Sequence, residues 1–187
     1  MAHVILGLLL SIGPQTIYDL NKQFEAGVSL FYRASLGALR TALTGLLERG
    51  EVTVETSVES GRTKKRYTAT DAGRLAFDEW MLAPITASDV ETAALSKTFF
   101  LALVPTPAPR LAILDGIRDR VAADTAELEA FGTQLDTLEI PREHIQTFRF
   151  QRATLTYGIG AHHHALEFYR ELREQVPAER AHRSTMC

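Results

Sequence analysis

The chain has 187 residues, 45% hydrophobic and 23% charged, the proportions of an ordinary globular protein with one or two cored domains. A formal net charge of -3 excludes a generally basic nucleic-acid coat, and a single cysteine, Cys187, excludes an internal disulfide framework. The distribution of charge says more than the total. Residues 1–86 hold nine Lys/Arg and nine Asp/Glu, yet Arg62, Lys64, Lys65 and Arg66 fall within five positions. Such a patch can steer DNA on a chain that is mildly acidic overall.

Taken in order, Val4 to Ser11 is apolar all round and reads as a short core helix. It is too short to span a bilayer and lacks a cationic leader and a cleavage site, so neither a membrane anchor nor a signal peptide is expected, and the cytosol is. Gly13-Pro14 breaks it. A second helix follows from about Thr16 to Glu25, with Ile17, Leu20 and Phe24 on one face. Ser35 then caps a third helix whose Leu36, Leu39, Leu43, Leu46 and Leu47 form one buried stripe, ended by Gly50. At ~100° per residue the opposite face carries Gly37, Ala38, Thr41, Thr44 and Gly45, with Arg40 at its flank.

Val52 to Val58 alternates with period two and predicts a strand, and Tyr67-Thr68 begins the return strand. Between them Gly61 and the four cations read as the tip of a β-hairpin. Thr70-Asp71 caps a fourth helix through Leu75, Ala76, Trp80 and Met81, ending near Pro84. Three helices, a hairpin and a closing helix make a winged helix-turn-helix, in which the third helix enters the major groove and the hairpin lies on adjacent backbone.

Residues 84–89 mark a boundary, which gives a DNA-binding domain at 1–84 and a helical domain at 85–187. Asp89 to Val104 reads as one helix, and Pro105 to Pro109 as a stiff break. The next helix carries Leu114, Ile117, Val121, Asp124, Leu128, Phe131, Leu135 and Leu138 at spacings of three and four. Pro141 introduces a last helix with Ile145, Phe148, Arg152, Leu155, Ile159, His162, Leu166, Tyr169, Arg173 and Val176 in the same rhythm. Seams this long suit a coiled-coil hairpin or a dimer interface. The interface residues expected are Leu114, Ile117, Val121, Leu128, Phe131, Leu135, Phe148, Leu155, Ile159 and Leu166. Asp124 and Arg152 interrupt the two seams, either as a register-fixing ion pair, within one chain or across a dimer, or by each reaching solvent. The tail from Glu179 is polar and reads as frayed.

In this context Arg62, Lys64, Lys65 and Arg66 are expected to neutralise phosphates, which gives affinity without sequence information. Gly37, Ala38, Thr41 and Thr44 allow close approach to the groove, and the threonine methyls can touch thymine. Arg40 adds a phosphate or guanine contact, and Tyr32 and Arg33, just before the helix, are expected to add further DNA contacts, although Tyr32 equally suits the core. His162-His163-His164 cannot share one ion on a rigid helix, so no metal and no cofactor are expected. Trp80 reads as a core or domain-junction aromatic. No phosphate-binding glycine loop, HExxH, GxSxG or Cys/His constellation appears, which argues against an enzyme.

Ile5-Leu6-Gly7-Leu8-Leu9, Gly13-Pro14 with Tyr18-Asp19-Leu20, Phe24, and Phe31-Tyr32-Arg33-Ala34-Ser35 resemble the opening of the PadR family. Gly61 to Tyr67, with Thr70 and Gly73-Arg74, resembles that family's wing and following helix. The helical remainder resembles the AphA-like subgroup with a long C-terminal domain. The resemblance implies a homodimeric transcriptional regulator, a repressor more often than an activator, on a roughly palindromic operator, with a small molecule or a partner as the candidate effector. One departure stands out. Gly37-Ala38-Leu39-Arg40-Thr41-Ala42-Leu43 replaces the family's Gly/Ser-x-Ile-Tyr-Pro-x-Leu run, so the family's operator sequence does not transfer. The alternative reading is a helical protein-interaction module that keeps the winged fold without reading DNA.

Overall fold

The structure, a computed structural model, describes residues 1–59 and 62–177. The element order is α1 (Ala2–Ile12), β1 (Gln15–Thr16), α2 (Ile17–Ala26), α3 (Leu36–Glu48), β2 (Val52–Glu59), β3 (Arg62–Ala69), α4 (Asp71–Leu82), α5 (Val90–Phe99), α6 (Pro107–Asp136) and α7 (Ile145–Glu174). The fold is mostly helical: a winged helix-turn-helix with a β-hairpin wing, followed by an all-helical C-terminal region. The chain divides into two compact units, Met1–Pro109 and the residues from Arg110 onward. The boundary expected at 84/85 falls inside the first unit.

The core of that unit forms around α1, against which both the leucine stripe of α3 and helix α4 pack. Ile5, Leu6, Leu20, Leu39, Leu43, Leu46, Phe77 and Met81 are fully buried, each contributing about 1.5–3 kcal/mol of transfer free energy. Helix α1 is buried from Val4 to Leu9, as an all-apolar helix must be. The caps are local and legible. Ser35 accepts the Ala38 N–H at α3, and Thr70 accepts the Gly73 N–H at α4 while its hydroxyl donates to the Gly50 carbonyl. Gly50 closes α3 in the left-handed region at φ +68°, where a side chain would be strained. Gly73 is required by proximity: a Cβ there would lie 2.1 Å from the Glu51 carbonyl oxygen.

The sheet is antiparallel with order β1-β3-β2. β1 is an element that the sequence does not announce. A second difference concerns the cations. They stand along β3, which starts at Arg62, and not on a loop tip; Lys64 pairs with Ser57, Lys65 with Thr56 and Arg66 with Glu55. Alternation along a strand sends Lys64 and Arg66 to one face and Lys65 to the other.

Helix α5 ends at Phe99, followed by a 3-10 turn over Leu101–Leu103, so the span from Asp89 to Val104 is a helix and a turn. It belongs to the first unit through specific contacts. Phe99 packs on Phe31 and Phe100 on Phe77, with ring centroids 5.6 and 5.9 Å apart, and the Thr92 hydroxyl donates to the Phe31 carbonyl. In the second unit α6 and α7 run antiparallel. Asp136 meets Arg152, Glu129 meets His163, and Asp115 meets Arg173. Neither of the two readings of Asp124 and Arg152, a mutual pair or solvation of each, describes them within the chain: Asp124 takes Arg120 one turn earlier on its own helix, 3.0 Å away, and Arg152 takes Asp136 at 3.1 Å. The polar tail from Glu179 lies outside the described residues.

Candidate nucleic-acid interface

Between α2, α3 and the wing strand β3 lies a cleft of about 830 Å³. Its walls bring together Arg40 and Thr44 from α3 with Lys64, Lys65 and Arg66 from β3. The leucines of α3 explain this placement. Leu39, Leu43 and Leu46 are drawn into the core, which turns Arg40, Thr41 and Thr44 outward, all three exposed. Gly37 is exposed on the same helix and Ala38 half-buried. The threonine hydroxyls donate back to their own helix, Thr41 to the Gly37 carbonyl at 3.2 Å and Thr44 to the Arg40 carbonyl at 3.1 Å. With those donors engaged, the face presents methyl groups, whose natural partner on a base edge is the thymine methyl.

Beyond Val52 the wing's β2 is exposed along Thr53 to Val58, and Thr63 to Arg66 of β3 are exposed too, so the hairpin contributes reach and charge more than core. The side chain of Arg62 and the whole of Gly61 lie outside the described residues.

Residues that sequence reasoning missed complete the cleft. Thr16, Ile17, Tyr18 and Asp19 line it from the start of α2, and Tyr18 is 70% exposed. Thr16 and Asp19 form a reciprocal capping box. The Thr16 hydroxyl accepts the Asp19 N–H at 3.2 Å, while the Asp19 carboxylate accepts the Thr16 N–H at 3.1 Å and the Thr16 hydroxyl at 2.7 Å. The Thr16 hydroxyl and amide hold the Asp19 carboxyl below the usual carboxylate range, with smaller help from Arg66 and Lys64. Thr16 is also the β1 residue paired with Arg66, so the box fixes α2 to the wing. The Thr-x-x-Asp spacing is the signal that could have found it.

Tyr32 and Arg33 are placed elsewhere. Tyr32 packs edge-on against Phe24 at 6.4 Å, and both Tyr32 and Arg33 line a second cavity of about 420 Å³ together with His3, Trp80, Thr92 and Ser96. Trp80 stacks on His3 at 5.1 Å and lies 5.7 Å from the Lys97 ammonium. Lys97 is only 4% exposed; its ammonium donates to the carbonyls of Met81, at 3.2 Å, and Ala83, which caps the end of α4. Burial pushes the Lys97 pKa down, and burial also lowers that of His3.

Of the expected association residues, Leu114, Ile117 and Val121 are buried, Leu128, Leu135, Phe148, Leu155, Ile159 and Leu166 are half-buried, and Phe131 is exposed. The three histidines go to separate surroundings. His162 bonds the Gly158 carbonyl, His163 meets Glu129, and His164 is exposed. Among the described residues no group of three or more His, Cys, Asp and Glu could hold a metal ion, and no helix is long and apolar enough to cross a membrane.

Residues 5–79 match the model of the transcriptional regulator PadR-like family. The negative transcriptional regulator PadR of Bacillus subtilis is 28% identical over 104 residues, a match that covers 54% of this chain and spans 56% of that relative's length. Among solved structures, Bacillus subtilis PadR in complex with operator DNA is 20% identical, with 92% of this chain and 97% of that one covered at a TM-score of 0.41. The Vibrio cholerae virulence activator AphA is 22% identical, with 93% and 96% covered at a TM-score of 0.36.

Proposed function

We propose that this chain, whose residues 5–79 match the model of the transcriptional regulator PadR-like family, is a regulator of that kind, binds double-stranded DNA through α3 and the wing and acts as a repressor. The observation that carries this reading is the cleft that unites Arg40 and Thr44 of α3 with Lys64, Lys65 and Arg66 of β3. A reading helix beside a cationic strand is what a duplex needs: base edges on one side and phosphates on the other. The cations supply affinity and salt dependence. The methyl-rich face of α3 supplies a modest direct preference, with DNA shape adding to it. Residues 1–84 carry this work, and residues 85–187 associate two copies.

The protein acts as a homodimer on a roughly palindromic operator, with half-sites about one helical turn, or a multiple of it, apart. Support comes from large apolar side chains left exposed on the hairpin, notably Phe131 and Leu138 on and just after α6 and Phe150 and Tyr157 on α7. A small-molecule effector fits the half-open cavity beside Trp80, whose wall includes Phe31 to Arg33 just ahead of α3. The setting is the cytoplasm, with the DNA.

The test is retention of the DNA upstream of the protein's own gene against random duplex across a salt series. Tighter retention of the upstream fragment, with a protected two-fold footprint, is the expected outcome. Equal and weak retention of both at every salt would favour a winged interaction module that no longer reads DNA.

A further inference from the structure

The cleft between α2, α3 and β3 is lined by four cationic residues, Arg40, Lys64, Lys65 and Arg66, of which Lys65 sends its side chain to the opposite face of β3, and by one acidic residue, Asp19. The carboxylate is rigidly held. Two hydrogen bonds, from the Thr16 amide and the Thr16 hydroxyl, fix it to Thr16, and Thr16 is paired across the sheet with Arg66. We infer that Asp19 is a brake on sequence-independent DNA binding: a fixed negative charge in the phosphate-facing cleft that weakens the grip of the wing on any duplex.

The inference rests on the DNA-binding reading and deepens it. Cations that neutralise phosphates bind every sequence alike, so a regulator needs some means of keeping that contribution small. Asp19 supplies one by repelling phosphates that come within a Debye length, about 8 Å at physiological salt, and by competing with them for Lys64 and Arg66. Its charge does not switch off near neutral pH, because Thr16, Arg66 and Lys64 all favour the ionised form. A cap alone does not require this charge, since an amide oxygen can accept the same backbone N–H.

Asp19→Asn keeps an acceptor for Thr16 and removes the charge. Glu25→Gln, on the same helix but outside the cleft, makes the same change in net charge and serves as the control. Both variants and the native chain are titrated with a random-sequence duplex across a salt series, and their melting temperatures are compared to confirm folding. Asp19→Asn is expected to tighten binding about threefold to tenfold at low salt, with a steeper salt dependence, while Glu25→Gln stays within about twofold of the native protein. Unchanged or weaker binding by Asp19→Asn, or equal tightening by both variants, overturns the brake. Failure of the native chain to bind any duplex would instead overturn the DNA reading, and the brake with it.

Discussion

Lys97 shows how a single side chain in this protein can be both costly and necessary. Its ammonium is removed from water and is stabilised by two carbonyls at the end of α4 and by the face of Trp80. Burial lowers its pKa below the ordinary 10.5, so in the pH range between the two values the unfolded chain binds more protons than the folded one. Stability contributed at this site therefore rises with pH through that range. Lys97→Met removes the titration and leaves two carbonyls without their donor, at a cost of about 1–3 kcal/mol near neutral pH. Paired denaturant titrations should show the gap between native and variant widening as pH climbs toward 10.5. A gap that stays constant or narrows would mean that Lys97 is not held as a desolvated cap. His3, stacked on Trp80, loses its proton more readily than an ordinary histidine and so adds little charge there at neutral pH.

Among the elements, the α6–α7 hairpin carries the clearest test of register. Asp136–Arg152 and Asp115–Arg173 each join the two helices through two hydrogen bonds to one carboxylate, so they fix the offset between them. A double-mutant cycle on Asp136 and Arg152 should show a small favourable coupling that fades with added salt, whereas a cycle on Asp124 and Arg152 should show none. Coupling in the second cycle would require a different offset. The leucine and isoleucine spacing makes both helices legible in the sequence, but spacing gives a face and not an offset. The offset depends on how the 3-10 turn at Arg142–His144 reverses the chain. The same logic separates what is readable in the winged domain. Ser35 and Thr70 announce their helices because a cap is a local hydrogen bond, and the buried stripe of α3 follows from leucine spacing alone. β1 stays hidden because two residues, Gln15 and Thr16, are too few to show a period. The cations read as a loop because lysine and arginine carry little strand signal, although Thr56 and Glu55 wait opposite them on β2.

At the scale of the whole molecule, α3, the cationic strand β3 and the Asp19 carboxylate share one cleft, on a chain whose net charge of -3 gives no general attraction to DNA. All binding to nucleic acid should then pass through that cleft, and its wing cations should act without regard to sequence. The most direct measurement is the salt dependence of duplex binding by the Lys64→Gln, Lys65→Gln double variant beside the native chain, on the upstream fragment and on random duplex. The variant should lose affinity for both duplexes by a similar factor, on the order of tenfold or more at moderate salt, and its slope of log affinity against log salt should be shallower by about 1.8. Unchanged affinity and slope on both duplexes would contradict the assignment of β3 as a DNA-binding wing.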